Sequence, residues 1–220
     1  KNWPKDPQLD QDQWGEVPVV NVSVKLSSLY SQIKVQAWEQ SIQTLCERLH
    51  PIYQAAIENN VFINLDMEYY DIKDLTIEVF KKMILMPEFK NYPHWGVVIQ
   101  AYLRDSHEDI QDLCEFAKKR GVPFTVRLVK GAYWDFETIV SDQRQWPIPV
   151  YTNKKESDAN YEHCSQTLLE NHKYLKLALG SHNVRSIAAA IVTAQKLGLA
   201  KDSFEIQMLY GMADPIKKSL

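Results

Sequence analysis

The residues best suited to chemistry cluster at positions 124–135, which read FTVRLVKGAYWD. Residues 124–129 alternate two sets of side chains along an apolar, β-branched run, the pattern of a buried strand. Phe124, Val126 and Leu128 fall on one face, and Thr125, Arg127 and Val129 on the other. A guanidinium inside such a strand costs several kcal/mol unless anions or acceptors surround it. Lys130, Gly131 and Ala132 follow it, then the aromatics Tyr133 and Trp134. A cation near a strand end, an almost bare backbone and adjacent rings could seat a flat, electron-rich ligand. A buried arginine paired with a structural carboxylate is the competing reading, and this stretch alone does not separate the two.

Similar polar residues stand late in the other apolar runs or just past them. Lys25 lies late in the run at 19–26, and Asp66 with Met67 and Glu68 follows 61–65. Gln100 lies in 95–103, Ser181, His182 and Asn183 follow 175–179, and Gln207 lies in 204–209. Each has a structural explanation: Lys25 can reach solvent, Asp66 and Glu68 can cap, Gln100 can satisfy backbone at a strand end, and residues 181–183 can cap the helix they precede. That helix start also offers free N–H groups to a phosphate. Six such residues, Lys25, Asp66, Gln100, Arg127, His182 and Gln207, favour one shared site, because parallel α/β folds gather strand ends on one face. Lys25 and Arg127 would supply two fixed positive charges, with Asp66 pairing to either or orienting a substrate amine. Acyl transfer is disfavoured, since no serine or cysteine has a convincing adjacent base. Asp66 and Glu68 sit too close on one strand for a glycosidase pair.

The elements that must position these groups alternate along the chain. Expected helices occupy 35–59, 72–86, 106–120, 157–173 and 184–197 between the six strands. Pro51 should kink or split the first helix. Ser106 with Asp109 has capping-box spacing, and Gly121 suits the end of that helix. Residues 134–153 read as irregular, and residues 1–18 as a polar loop or linker ahead of a domain at 19–220. Crossovers long enough for a helix imply parallel neighbours. An open doubly wound sheet and a (β/α)₈ barrel both fit, but the glycine-rich first turn of a dinucleotide-binding sheet is missing.

The chain has 220 residues, 25 Lys and Arg against 28 Asp and Glu, and a formal net charge of −3. That balance, without a basic run, argues against nucleic acid as a partner. No apolar run reaches membrane-spanning length, and the first residues do not form a signal peptide. Cys46, Cys114 and Cys164 read as buried reduced thiols, consistent with the cytoplasm. Metal-binding and P-loop fingerprints are absent.

The ordered segments SVKLSSL, INLDMEYYD, VVIQAY, VRLVKGAYWD, PVYTNK, SHN and FEIQMLYGM closely resemble the proline dehydrogenase domain, most of all that of the bifunctional proline utilisation A proteins. The resemblance runs from about residue 20 to 215. It implies a (β/α)₈ TIM-type barrel holding FAD at its strand ends, and oxidation of L-proline to Δ1-pyrroline-5-carboxylate by hydride transfer to flavin N5. It implies catalytic roles for Asp66 and Arg127, the latter beside flavin N5. Lys25 would bind the proline carboxylate, and Tyr133 and Leu209 would contact substrate. Met67, Gln100, Val129, Lys130, Gly131, Ala132, Trp134, Ser181, His182, Asn183 and Gln207 would contact the flavin. It further implies a quinone acceptor, peripheral contact with the inner membrane and a fused aldehyde dehydrogenase domain. Six expected strands fall short of eight, and nothing after Leu209 resembles the family's late arginine-bearing helix. The chain thus reads as an excerpt of the barrel, expected to bind FAD poorly and turn over slowly by itself. Another flavin barrel, of the methylenetetrahydrofolate reductase type, and a non-catalytic scaffold remnant are the alternatives.

Overall fold

The computed structural model describes Pro4, Asp6 and residues 10–219. The alternating apolar runs form six parallel strands: β1 Val20–Val24, β2 Val61–Leu65, β3 Trp95–Gln100, β4 Phe124–Val129, β5 Leu175–Gly180 and β6 Phe204–Gln207. They lie side by side in chain order. The sheet curls into a half-barrel of the (β/α)₈ type. The connecting helices are α1 Leu26–Leu29, α2 Trp38–Glu58, α3 Lys73–Leu85, α4 Ser106–Arg120, α5 Trp134–Arg144, α6 Lys154–Glu170 and α7 Val184–Lys196, and α8 Asp214–Ser219 follows β6.

Period-two alternation decides which side chains meet the helices. Leu65, Trp95, Val97, Phe124, Val126, Leu128, Leu175, Leu177 and Leu179 enter one core with the inward residues of α2, α3, α4, α6 and α7, such as Leu45, Phe80, Leu113, Leu168 and Ile187. The other face carries Ser23, Asn64, Gly96, Arg127 and Ala178, placed beside one another by the register Ser23↔Asn64, Asn64↔Gly96 and Arg127↔Ala178. The inner strands are buried, whereas β1 exposes Val20 and Val22 at the edge of the sheet.

Several local expectations change. Pro51 does not split α2, which runs through it. Pro51 and Glu47, whose carbonyl loses its helical donor, are both exposed, so that carbonyl can turn to water. Ser106 does not cap α4; it is the first helical residue, and its Oγ donates to the Leu103 carbonyl instead. Gly121 does end α4, with φ +74. Residues 134–144 are helical rather than irregular, forming α5, and Asn153 caps α6 by accepting from the Lys155 N–H. All three cysteines are buried free thiols.

Within the 1–18 segment, residues 1–3, 5 and 7–9 lie outside the described residues. The remainder includes an antiparallel ribbon, Gln11–Asp12 against Gly15–Glu16, at the N-terminal end of the strands. Its Asp12 Oδ2 pairs with Lys176 Nζ of β5 at 2.8 Å, and Glu205 of β6 completes the cluster at 3.2 Å.

Candidate active site

At the opposite end the curled sheet encloses an open cavity of about 630 Å³. Strand direction alone brings Lys25, Asp66, Gln100, Arg127, His182 and Gln207 to its wall, because parallel strands all end there. Asp66 stands between the two cations. Its Oδ1 accepts from an Arg127 terminal nitrogen at 3.3 Å, and its Oδ2 lies 3.8 Å from Lys25 Nζ. Lys25 also donates to the Tyr133 hydroxyl at 3.4 Å. Burial lowers the Lys25 pKa, but the Tyr133 hydroxyl and the charges of Asp66 and Glu68 outweigh it and the net shift is upward. Burial has the upper hand at Arg127, whose pKa falls despite Asp66 and Glu205. Both side chains remain cations near neutrality.

Arg127 is also held by neutral acceptors. Its terminal nitrogen donates to Ser23 Oγ at 3.0 Å. The Asn64 amide, oriented with its oxygen toward the guanidinium, accepts at 2.7 and 3.3 Å. Gln100 is buried with its amide engaged in the protein: Nε2 donates to the Glu68 carbonyl at 2.9 Å, and Oε1 accepts from the Ala132 N–H at 3.3 Å. It therefore fastens the loop after β4 to the loop after β2. Glu68, expected at most to be a cap, is 5 % exposed and clasps Ser27, taking its N–H at 3.0 Å and its hydroxyl at 2.5 Å. This fixes the turn that carries Lys25. Tyr133 leans on Tyr69, ring centroids 4.9 Å apart, and Tyr69 on Phe136 at 4.5 Å.

The remaining expected site residues divide. Met67, Val129, Lys130, Gly131, Ala132, Tyr133, Ser181, His182, Gln207 and Leu209 line the cavity. The Lys130 ammonium nevertheless pairs with Asp158 of α6. Gly131, at φ +140, passes so close to Tyr102 that a Cβ would lie 2.5 Å from its ring. Only glycine fits there. Trp134 turns into a neighbouring cleft and donates through Nε1 to the Tyr151 carbonyl at 3.0 Å. Asn183 caps α7 by accepting from the Ser186 N–H at 3.1 Å, outside the cavity wall. His182 Nε2 takes the Leu209 N–H at 3.0 Å and anchors the segment after β6. Sequence reasoning missed Val98, Gly180 and Met208 in the wall, and Asn64 and Ser23 behind it, and it read Glu68 only as a cap. The alternation that exposed Arg127 was also a signal for Val98 and Gly180.

The family model of proline dehydrogenase matches residues 1–220. The chain belongs to the proline dehydrogenase family. Among curated members of that family, it is 31 % identical over 200 residues to proline dehydrogenase 2 of Bacillus subtilis, covering 91 % of this chain and 56 % of that protein. It is 29 % identical over 196 residues to the bifunctional protein PutA of Klebsiella aerogenes, covering 89 % of this chain and 15 % of that one. Among solved structures, a proline utilization A protein from Bdellovibrio bacteriovorus inactivated by N-propargylglycine is 59 % identical, with a TM-score of 0.97 over 99 % of this chain and 23 % of that chain. The protein from Corynebacterium freiburgense is 33 % identical, with a TM-score of 0.86 over 90 % of this chain and 21 % of that one. The chain therefore spans only a part of the proline dehydrogenase family members it matches.

Proposed function

We propose that this chain forms the proline-oxidising, FAD-binding part of its protein and converts L-proline to Δ1-pyrroline-5-carboxylate. The observation that carries the reading is the arrangement of Lys25, Asp66 and Arg127 on one cavity wall, two cations sharing one carboxylate, in a chain of this family. The surplus cationic charge suits a substrate carboxylate and an electron-rich ring together.

The residues present fit a flavin. Met67, Val98, Val129 and Met208 offer apolar walls to a ring system, and Arg127, Gln207 and His182 offer polar groups. The bare turn at Gly131 and Ala132, held by Gln100, lets backbone form part of the wall. Arg127, Val129, Gly131, Ala132 and Gln207 would hold the ring, with Met67 and residues 181–182 beside them. Lys130, engaged with Asp158, would contribute mainly through backbone, and Trp134 from the adjoining cleft. The chemistry a bound FAD would supply is acceptance of one hydride, which carries both electrons, from the ring carbon next to the proline nitrogen.

The chain's own residues do the rest. Lys25 binds the proline carboxylate, while Asp66 faces the ring amine and restrains both cations. Tyr133, braced by Tyr69, packs against the substrate ring, and Leu209 closes the opposite side. Arg127 presents fixed positive charge where negative charge grows, an interaction set in place before reaction. Electrons then pass to a quinone, with peripheral membrane contact and a fused aldehyde dehydrogenase domain belonging to the same proposal. Among the described residues no helix is long and apolar enough to cross a membrane.

The test is anaerobic addition of L-proline to the purified full-length protein. Loss of the oxidised flavin absorbance is expected. A flavin that stays oxidised with L-proline but is reduced by NAD(P)H or a reduced folate would support the methylenetetrahydrofolate reductase type instead.

A further inference from the structure

Resting on the proposed function, we propose that Asn64 is a positioning residue for Arg127, and that its neutral amide holds the guanidinium without cancelling its charge. Asn64 is 0 % exposed and lies on the inner face of β2, where a polar side chain needs a reason. Its oxygen receives two terminal nitrogens of Arg127, at 2.7 and 3.3 Å, the most intimate contact the guanidinium makes. The place for this amide is cleared by its neighbour in register, Gly96. A Cβ at Gly96 would come within 2.3 Å of the Asn64 amide and 2.9 Å of the Phe62 ring. Gly96 is thus a residue of β3 whose missing side chain is occupied by Asn64.

The chemistry of the acceptor matters as much as its position. A half-buried guanidinium must be hydrogen-bonded, and either a carboxylate or a neutral oxygen can do that. A carboxylate at position 64 would form the tighter bidentate pair and neutralise the cation. Here two of the three groups holding Arg127 are neutral, Asn64 and Ser23, and the one carboxylate, Asp66, is shared with Lys25. The guanidinium is therefore fixed in place while its field still acts on the cavity. A leucine at 64 would fill the same volume but hold nothing, so filling alone does not account for an amide there.

Two near-isosteric variants in the full-length protein separate position from charge, each checked for a native far-UV circular dichroism spectrum and read by crystal structure and by flavin midpoint potential. In Asn64→Asp, Arg127 stays in place, and the reduced flavin is disfavoured about tenfold, ~30 mV for a two-electron couple. In Asn64→Leu, the guanidinium leaves its position and turns toward Asp66 or the solvent. An unmoved Arg127 in Asn64→Leu overturns the positioning role, and an unchanged potential in a well-folded Asn64→Asp overturns the charge argument. A wild-type flavin that ignores L-proline defeats the proposed function but leaves both readouts intact. A protein isolated without flavin also defeats it, and the two crystal structures then decide the inference by themselves, Arg127 displaced with leucine and retained with aspartate.

Discussion

At one mouth of the sheet a buried cation is boxed in by carboxylates; at the other a half-buried cation is held chiefly by neutral oxygens. Lys176 is 8 % exposed and touches Asp12 and Glu205. Thr125 and Phe62 pack round the same spot, and the residual space there is about 40 Å³. Arg127 lies on the same inner face of the next strand, nearer the other end, beside the 630 Å³ cavity. A cation whose charge is balanced by its own chain can only hold parts together. One whose hydrogen bonds are satisfied but whose charge is not can still bind something else. The same half-barrel thus has a closed end and an end open to a cavity, and the difference lies in what the cations face.

The comparison can be broken most decisively at Arg127. Arg127→Met in the full-length protein is expected to preserve far-UV circular dichroism and slow flavin reduction by proline by about 10²- to 10³-fold, the usual loss when one preorganised electrostatic contact is removed. Stopped-flow reduction at wild-type rates would show that the open end does not need this charge. Lys176→Met should do the reverse. Leaving Asp12 and Glu205 without their cation should cost about 3 kcal/mol in denaturant unfolding, with flavin reduction by proline little changed in the molecules that remain folded. Asp66→Ala should be smaller and more selective, raising the KM for proline about tenfold while flavin content stays near wild type, because one hydrogen-bonded charge contact is lost. Greater loss of flavin than of proline affinity would move Asp66 from the substrate to the cofactor.

A pH experiment sharpens the closed end. Burial alone would lower the Lys176 pKa, but Glu205 and Asp12 reverse this and raise it above the ordinary lysine value. A raised lysine pKa stabilises the folded chain fully below the unfolded value, and that stability is lost as pH rises through the folded value. Thermal midpoints should therefore fall as pH is taken above about 10.4. Lys176→Met should flatten that part of the decline, a change of a few degrees.

Particular residues show how far sequence could be read. Arg127 declared itself because a charge interrupting a period-two apolar run is visible locally, and the same alternation assigned Phe124, Val126 and Leu128 to the helix-facing core. The strands and the end at which polar groups gather followed from that pattern and from crossover length, whereas their order stayed open between a doubly wound sheet and a barrel until the structure placed them in chain order. Helix α5 escaped because WDFETIVSDQR has a weak apolar stripe and exposed Phe136 and Ile139. Ser106 looked like a cap because its neighbours match a capping box, yet its hydroxyl found the Leu103 carbonyl first.

The amino-acid sequence by itself determined six strands, the two faces of each, and a set of charges and amides at one end, since these depend on neighbours two or four residues away. Only the tertiary structure decided how those groups divide their work. Asn64 meets Arg127 across 63 positions of chain, Lys130 turns to Asp158, and Asp12 closes the far end on Lys176. Such pairings depend on parallel register and on the curl of the sheet, which are fixed by packing between strands more than 25 residues apart in sequence rather than by any local preference.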